Sequence, residues 1–142
     1  MIRRVGISDL DQILDIEKAS FLSPWTEYSF ICELDLDSSL NFVYEVDGTI
    51  IGYIFCWYIS DEIHVNNLAV RKDSRRKGIA RKMLGYIKNK YSDEVRMIHL
   101  EVKSSNYRAI EFYNSEEFYY TATRKRYYSD NTDALLLTYN MR

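Results

Sequence analysis

The chain has 142 residues, 46% of them hydrophobic and 28% charged, and a formal net charge of −2. That is enough for one domain, residues 1–142, with a real apolar core, and it excludes a disordered segment or a general nucleic-acid binder. The longest apolar run, Ile50–Ile59, is far short of the ~20 residues of a membrane helix, so no membrane partner is expected.

The N-terminus, Met1-Ile2-Arg3-Arg4, leads into polar sequence and does not read as a secretory signal. Cys32 and Cys56 lie far apart with no Cys-x-x-Cys pattern, and the two histidines do not complete a zinc pattern. No metal is expected, and a reducing cytoplasm is the simplest setting.

Taken in order, Ile2–Gly6 reads as a short strand, and Ser8 as a helix cap with Asp11 in the capping-box position. Leu10, Ile13, Leu14 and Ile16 give the following helix an apolar face. Ser23-Pro24 reads as a cap plus first helical residue, opening a second helix through Tyr28, Ile31 and Leu34. The period then changes. Phe42–Val46 and Ile50–Ile59 are extended, joined by Asp47-Gly48, a strong two-residue hairpin signal. Ser60-Asp61 turns the chain into a strand over Ile63–Val70.

A polar, basic loop follows, and apolar residues then recur at helical spacing at Ile79, Met83, Leu84, Ile87 and Tyr91. Met97–Val102 is a strand, Ser105-Asn106 caps a helix over Ala109–Tyr113, and Phe118–Lys125 and Ala134–Tyr139 close the chain as strands. The order β-α-α-β-β-β-α-β-α-β-β predicts an α/β (α+β) domain with a mixed central sheet of about seven strands and about four helices. The two strands around the basic helix should be parallel neighbours, linked by a right-handed crossover.

The start of that helix has the chemistry of a phosphate site. A helix N-terminus leaves its first N–H groups without intrahelical partners and carries partial positive charge. Gly78 and Ala80 leave the backbone open to an anion, and Arg75, Arg76, Lys77, Arg81 and Lys82 surround it with cations. The stretch is neither a P-loop nor a dinucleotide fingerprint. Its pattern, Arg-x-x-Gly-x-Ala after a strand ending in Leu-Ala-Val, resembles the acetyl-CoA pyrophosphate loop of the GNAT acyltransferase superfamily, Gln/Arg-x-x-Gly-x-Gly/Ala.

On the next strand Ile98, Leu100 and Val102 share one face, so His99 and Glu101 point the other way. A carboxylate in an otherwise apolar strand is costly unless exposed or partnered. The segments DEIHVNNLAV, RRKGIAR, LEVKSSNYRAIEFYNSEEF and RKRYY, together with Ser23-Pro24-Trp25, are similar to those of the RimI-type ribosomal-protein-alanine N-acetyltransferases, from about Leu10 to Met141.

This resemblance implies acetyl-CoA as co-substrate. Backbone groups of Leu68, Ala69 and Val70 would meet the pantetheine arm and acyl carbonyl. The loop Arg76, Lys77, Gly78, Ile79, Ala80 and Arg81 would wrap the pyrophosphate, and Asn106 would contact coenzyme A. It implies Glu101 as general base, Tyr113 as general acid, and a protein N-terminus, most simply the alanine of a small-subunit ribosomal protein, as acceptor. Trp25 and the helix after it, with Tyr127-Tyr128, would wall the acceptor slot. One position departs from the family pattern Tyr-x-x-x-Gly-Phe: Glu117 stands where a left-handed cap glycine is usual.

The chemistry suits these residue types independently. Acetyl transfer needs a free amine, a stabilised oxyanion and a protonated thiolate. An α-amine, of reference pKa about 7.7–8.0, is partly neutral at pH 7, whereas a lysine near 10.4 is almost wholly charged. Glu101 can take the proton and Tyr113 can give one. A Val70 N–H is a candidate oxyanion donor. Glu62 and His64 are alternative bases, read as sharing a strand face with Leu68, and His99 competes for the same role. Neither cysteine sits in a nucleophile motif, so transfer is expected to be direct. Competing functions are acetylation of lysine, polyamine or another small amine, and a non-catalytic acyl-CoA-binding module. No direct nucleic-acid partner is expected, and the sequence leaves the oligomeric state open.

Overall fold

A mixed seven-stranded sheet, in the order β1-β2-β3-β4-β5-β7-β6, frames the computed structural model, which describes residues 1–141. The strands are β1 (Ile2–Arg4), β2 (Ser39–Val46), β3 (Thr49–Ile59), β4 (Glu62–Val70), β5 (Met97–Lys103), β6 (Tyr119–Arg124) and β7 (Ala134–Asn140). The helices are α1 (Leu10–Ser20), α2 (Glu27–Asp35), α3 (Ile79–Lys90) and α4 (Tyr107–Ser115). As expected, β4 and β5 are parallel neighbours joined through α3. The other neighbouring pairs are antiparallel.

Two apolar layers cover the sheet. On one face α3 buries Ile79, Met83, Leu84 and Ile87 against Phe42, Ile54, Ile63, Val65, Ile98 and Leu100. Each such side chain contributes about 1.5–3 kcal/mol. The apolar residues of α4 (Ala109, Ile110, Phe112 and Tyr113) border this same layer. On the other face α1 and Phe30 of α2 cover Val43, Ile50, Tyr53, Phe55 and Ala69. The β2–β3 hairpin turns at Asp47 and Gly48, with φ of 50° and 80°, the left-handed pair that a two-residue loop of this type requires.

Three local readings differ. Ser8 is not the first cap: Asp9 closes the turn instead, its carboxylate accepting from Gly6 N–H at 2.7 Å and from the Arg3 guanidinium at 2.8 Å. Thr26, not Ser23, caps α2, accepting from Ser29 N–H at 3.1 Å, and Ser23-Pro24 lies in the preceding loop. Tyr28 is exposed, and the aromatic ring that α2 buries is Phe30.

A fourth difference shapes the site. Along β4 the register against β3 shifts between Phe55↔Asn67 and Cys56↔Val65, so Asn66 is an extra residue, a β-bulge. Before it, Ile63 and Val65 face α3; after it, Leu68 and Val70 do. His64 and Leu68 therefore lie on opposite faces of the sheet.

Candidate active site

The bulge also ends the pairing of β4 with β5. The two strands match from Glu62↔Met97 to Val65↔Leu100 and no further, leaving a gap between their carboxyl ends. Backbone donors alternate along a strand. Since Arg71 N–H donates to Ile51 O at 2.7 Å, Val70 N–H points away from β3 into that gap.

A cavity of about 670 Å³ opens there on the α3–α4 face. Of the residues singled out in the sequence, Leu68, Ala69, Val70, Arg76, Gly78, Ile79, Ala80, Arg81, Asn106 and Tyr113 line it. Lys77 does not reach the lining. Gly78 caps α3 at φ 77°, and a Cβ there would meet nothing within 4 Å, so the backbone faces open space. The cations are not equivalent. Arg81 Nε is held by the buried Glu116 carboxylate at 2.7 Å. Arg75 ties Val70 O (2.9 Å) to Ser20 Oγ (2.9 Å), joining the end of β4 to the end of α1.

Sequence reasoning missed Arg75 as a strut, and it missed Arg108 and Phe21, which also line the cavity. The Arg108 position in the first turn of α4 was a usable signal; Phe21 arrives only through the tertiary fold.

Asn106 caps α4, its Oδ1 accepting from Ala109 N–H at 3.2 Å. Tyr113 stands between Phe112 and Phe118, and burial pushes its hydroxyl above the ordinary phenol range, so it stays protonated. The helix ends as a Schellman cap: Phe118 N–H reaches Tyr113 O at 3.0 Å and Glu117 N–H reaches Asn114 O at 3.1 Å. Glu117 takes the left-handed conformation at φ 71°, the one that glycine favours.

Glu101 lies across the sheet, on the face opposite the α3–α4 layer, one residue past the last β4–β5 pair. Its Oε1 is 3.6 Å from His64 Nε2 and its Oε2 is 3.5 Å from Arg124 Nε. Oε2 is buried and makes no hydrogen bond, only the ion pair with Arg124. His64 stacks on Trp57 and bonds Asn66 Oδ1 through Nδ1 at 2.8 Å. Tyr128 is close enough that burial and the Glu101 charge raise its hydroxyl to about 12.

The other candidate bases are engaged elsewhere. Glu62 bonds Arg96 at 2.6 Å and His99 at 3.2 Å, and His99 also contacts Thr138 at 2.9 Å. Cys56 is buried, which raises its thiol, and Cys32 is exposed on α2. Among the described residues no three metal-ligating side chains gather, and no helix is long and apolar enough to cross a membrane.

The arrangement is a cavity edged by arginines and a helix start with a protonated tyrosine on one face, a carboxylate flanked by His64 and Arg124 on the other, and a gap between. The family model for the Acetyltransferase (GNAT) family matches residues 10–118. An N-alpha-acetyltransferase of Saccharolobus solfataricus is 34% identical, over 96% of this chain and 90% of its own. A ribosomal protein bS18-alanine N-acetyltransferase of Haemophilus ducreyi is 30% identical, over 90% and 88% respectively. The crystal structure of the ribosomal-protein-S18-alanine N-acetyltransferase from Escherichia coli superposes with a TM-score of 0.91 at 28% identity, covering 99% of this chain and 93% of that one. The chain belongs to the GNAT acetyltransferase family and is an N-acetyltransferase.

Proposed function

We propose that the enzyme transfers the acetyl group of acetyl-CoA to the α-amine of a protein N-terminus, its acceptor being the N-terminal alanine of a small-subunit ribosomal protein in the cytoplasm. The observation that carries this reading is Glu101 beside the end of the β4–β5 pairing, its Oε2 making no hydrogen bond, across the sheet from a cavity edged by a helix start and arginines.

The first N–H groups of α3, with Arg76, take the pyrophosphate, and the pantetheine arm runs along Leu68, Ala69 and Val70 toward the gap. Val70 N–H meets the thioester oxygen as it becomes an oxyanion. The amine enters from the face of Glu101, His64 and Tyr128. Its nitrogen attacks the carbonyl carbon, its proton passes to Glu101, the C–S bond breaks, and the Tyr113 hydroxyl protonates the departing sulfur. Holding thioester and amine on either side of one gap supplies the proximity.

An α-amine, with a reference pKa about 2.5 units below that of lysine, needs less help from Glu101, which favours N-termini over side chains. The ribosomal acceptor is supported by the names of the Haemophilus and Escherichia proteins. A broader range of N-termini is the second reading, favoured by the Saccharolobus relative, named only an N-alpha-acetyltransferase. Initial rates with peptides differing in their first residue, beside N-blocked peptides carrying an internal lysine, test both. Alanine-first peptides should lead. A preference for the internal lysine would defeat the assignment.

A further inference from the structure

Glu17 is the most deeply buried carboxylate of the described residues, 1% exposed, and it lies outside the chemistry described so far. A buried carboxylate is costly unless its lone pairs are taken. Here three donors from three segments take them. Trp25 N–H, from the α1–α2 loop, reaches Oε2 at 2.9 Å. Tyr53 O–H, from β3, reaches Oε1 at 2.6 Å, and Asn67 Nδ2, from β4, reaches Oε1 at 2.7 Å. Asn67 directly follows the bulge residue whose insertion opens the gap. Burial and the Glu17 carboxylate raise the Tyr53 hydroxyl, which stays a donor.

An apolar side chain would fill this space at less cost in desolvation. What it could not do is bind Trp25 and Asn67 at once. We infer that Glu17 is a positioning residue for acetyl transfer, clasping the acceptor-side loop at Trp25 to the β4 bulge at Asn67 so that the acceptor wall and the thioester gap keep one register. Resting on the acceptor reading above, it adds a residue that touches neither substrate. The loop so held carries Phe21 into the cavity lining and sets the Trp25 ring on Phe30 and Phe55, at centroid distances of 5.1 and 6.1 Å.

Glu17→Gln separates this role from plain stability. The glutamine oxygen can still accept from Tyr53 and Asn67, but its amide nitrogen then opposes Trp25 N–H, donor against donor. The peptide KM should rise roughly tenfold or more, the worth of one hydrogen bond to a charged group, while acetyl-CoA affinity stays within about twofold. Val43→Ala, a core truncation on β2, serves as the control: it should lower the melting temperature without moving the peptide KM.

A folded Glu17→Gln with unchanged peptide KM overturns the inference. So does a rise in KM matched by equal loss of acetyl-CoA affinity, or reproduced by Val43→Ala. If Glu17→Gln does not fold, Asn67→Ala replaces it: a raised peptide KM supports the clasp and an unchanged one removes it. Should the wild type turn over no N-terminal peptide at all, the acceptor reading falls and this inference with it.

Discussion

Val65 of β4 and Leu100 of β5 form the last pair the two parallel strands make. Each is followed by a polar residue on the acceptor side, Asn66 and Glu101. The extra residue at Asn66 ends the ladder, so backbone that would otherwise be consumed in sheet pairing is presented to a ligand. In the proposed function, that one inserted residue creates both the route for the thioester and the opening onto Glu101.

Replacing Gly78 tests the anion end of that route. A Cβ at this position meets no protein atom within 4 Å, so crowding in the free enzyme is not the obstacle, and the left-handed φ of 77° adds a strain of roughly 1 kcal/mol for any side chain. Gly78→Asp puts a side chain and a negative charge where the pyrophosphate is proposed to lie. Acetyl-CoA affinity, by calorimetry, should fall more than about tenfold, since loss of even one charge-assisted bond costs about 1.5–3 kcal/mol. Unchanged affinity would move the site away from this loop.

Tyr113→Phe keeps the ring among Phe112 and Phe118 and removes only the hydroxyl. Turnover should drop by about 10²–10⁴, the usual worth of a general acid. The loss should persist at high pH, because the thiolate still leaves without a proton. A variant with wild-type turnover would make Tyr113 a packing residue.

Glu117→Gly should stabilise the protein. The exposed Glu117 backbone is left-handed at φ 71°, a conformation costing roughly 1 kcal/mol for a residue with a Cβ. Some of that gain is returned through the greater freedom of glycine in the unfolded chain. A net gain of about 0.5 kcal/mol raises the melting temperature by about 1–2 °C. Calorimetric melting would show it, and a lower melting temperature would mean that the Glu117 side chain offsets its own strain.

Asp9 gives a pH signature. The Arg3 hydrogen bonds, and then the Gly6 N–H, hold its carboxyl below its ordinary value of 3.8. A depressed folded pKa means stability that is present above the unfolded value and lost as pH falls through the folded one. Asp9→Asn should therefore cost about 2 kcal/mol in urea unfolding at pH 7, and the gap to wild type should narrow below about pH 4. A constant gap across that range would assign the effect to shape, not charge.

Much of this was legible in the sequence because it is local. The Asp47-Gly48 turn, the 3.6-residue period from Ile79 to Tyr91, and the alternation through Ile98, Leu100 and Val102 each fix an element within a few residues. The misplaced caps were also local, but degenerate: Ser23 and Thr26 both offer a hydroxyl before a helical run, and packing of Phe30 selects Thr26. The bulge was not legible. Asn66-Asn67 is polar at two successive positions, and nothing in an alternating pattern says that one of them is extra; hence His64 and Leu68 were read onto one face. Glu17 was equally hidden, since its three donors come from Trp25, Tyr53 and Asn67 and meet only in the folded chain.

Glu101→Gln is the most direct test of acetyl transfer across the gap. The substitution keeps the size of the side chain and its place on β5, but Gln cannot take the proton of the amine. Turnover of an alanine-first peptide and affinity for acetyl-CoA should be measured on the same preparation. The expected result is a loss in turnover of about 10²–10⁴, or ~3–5 kcal/mol of barrier, with acetyl-CoA affinity nearly unchanged and partial recovery at high pH, where more of the amine is already neutral. Near-normal turnover at neutral pH would contradict it, making Glu101 structural and His64, 3.6 Å away, the next residue to test.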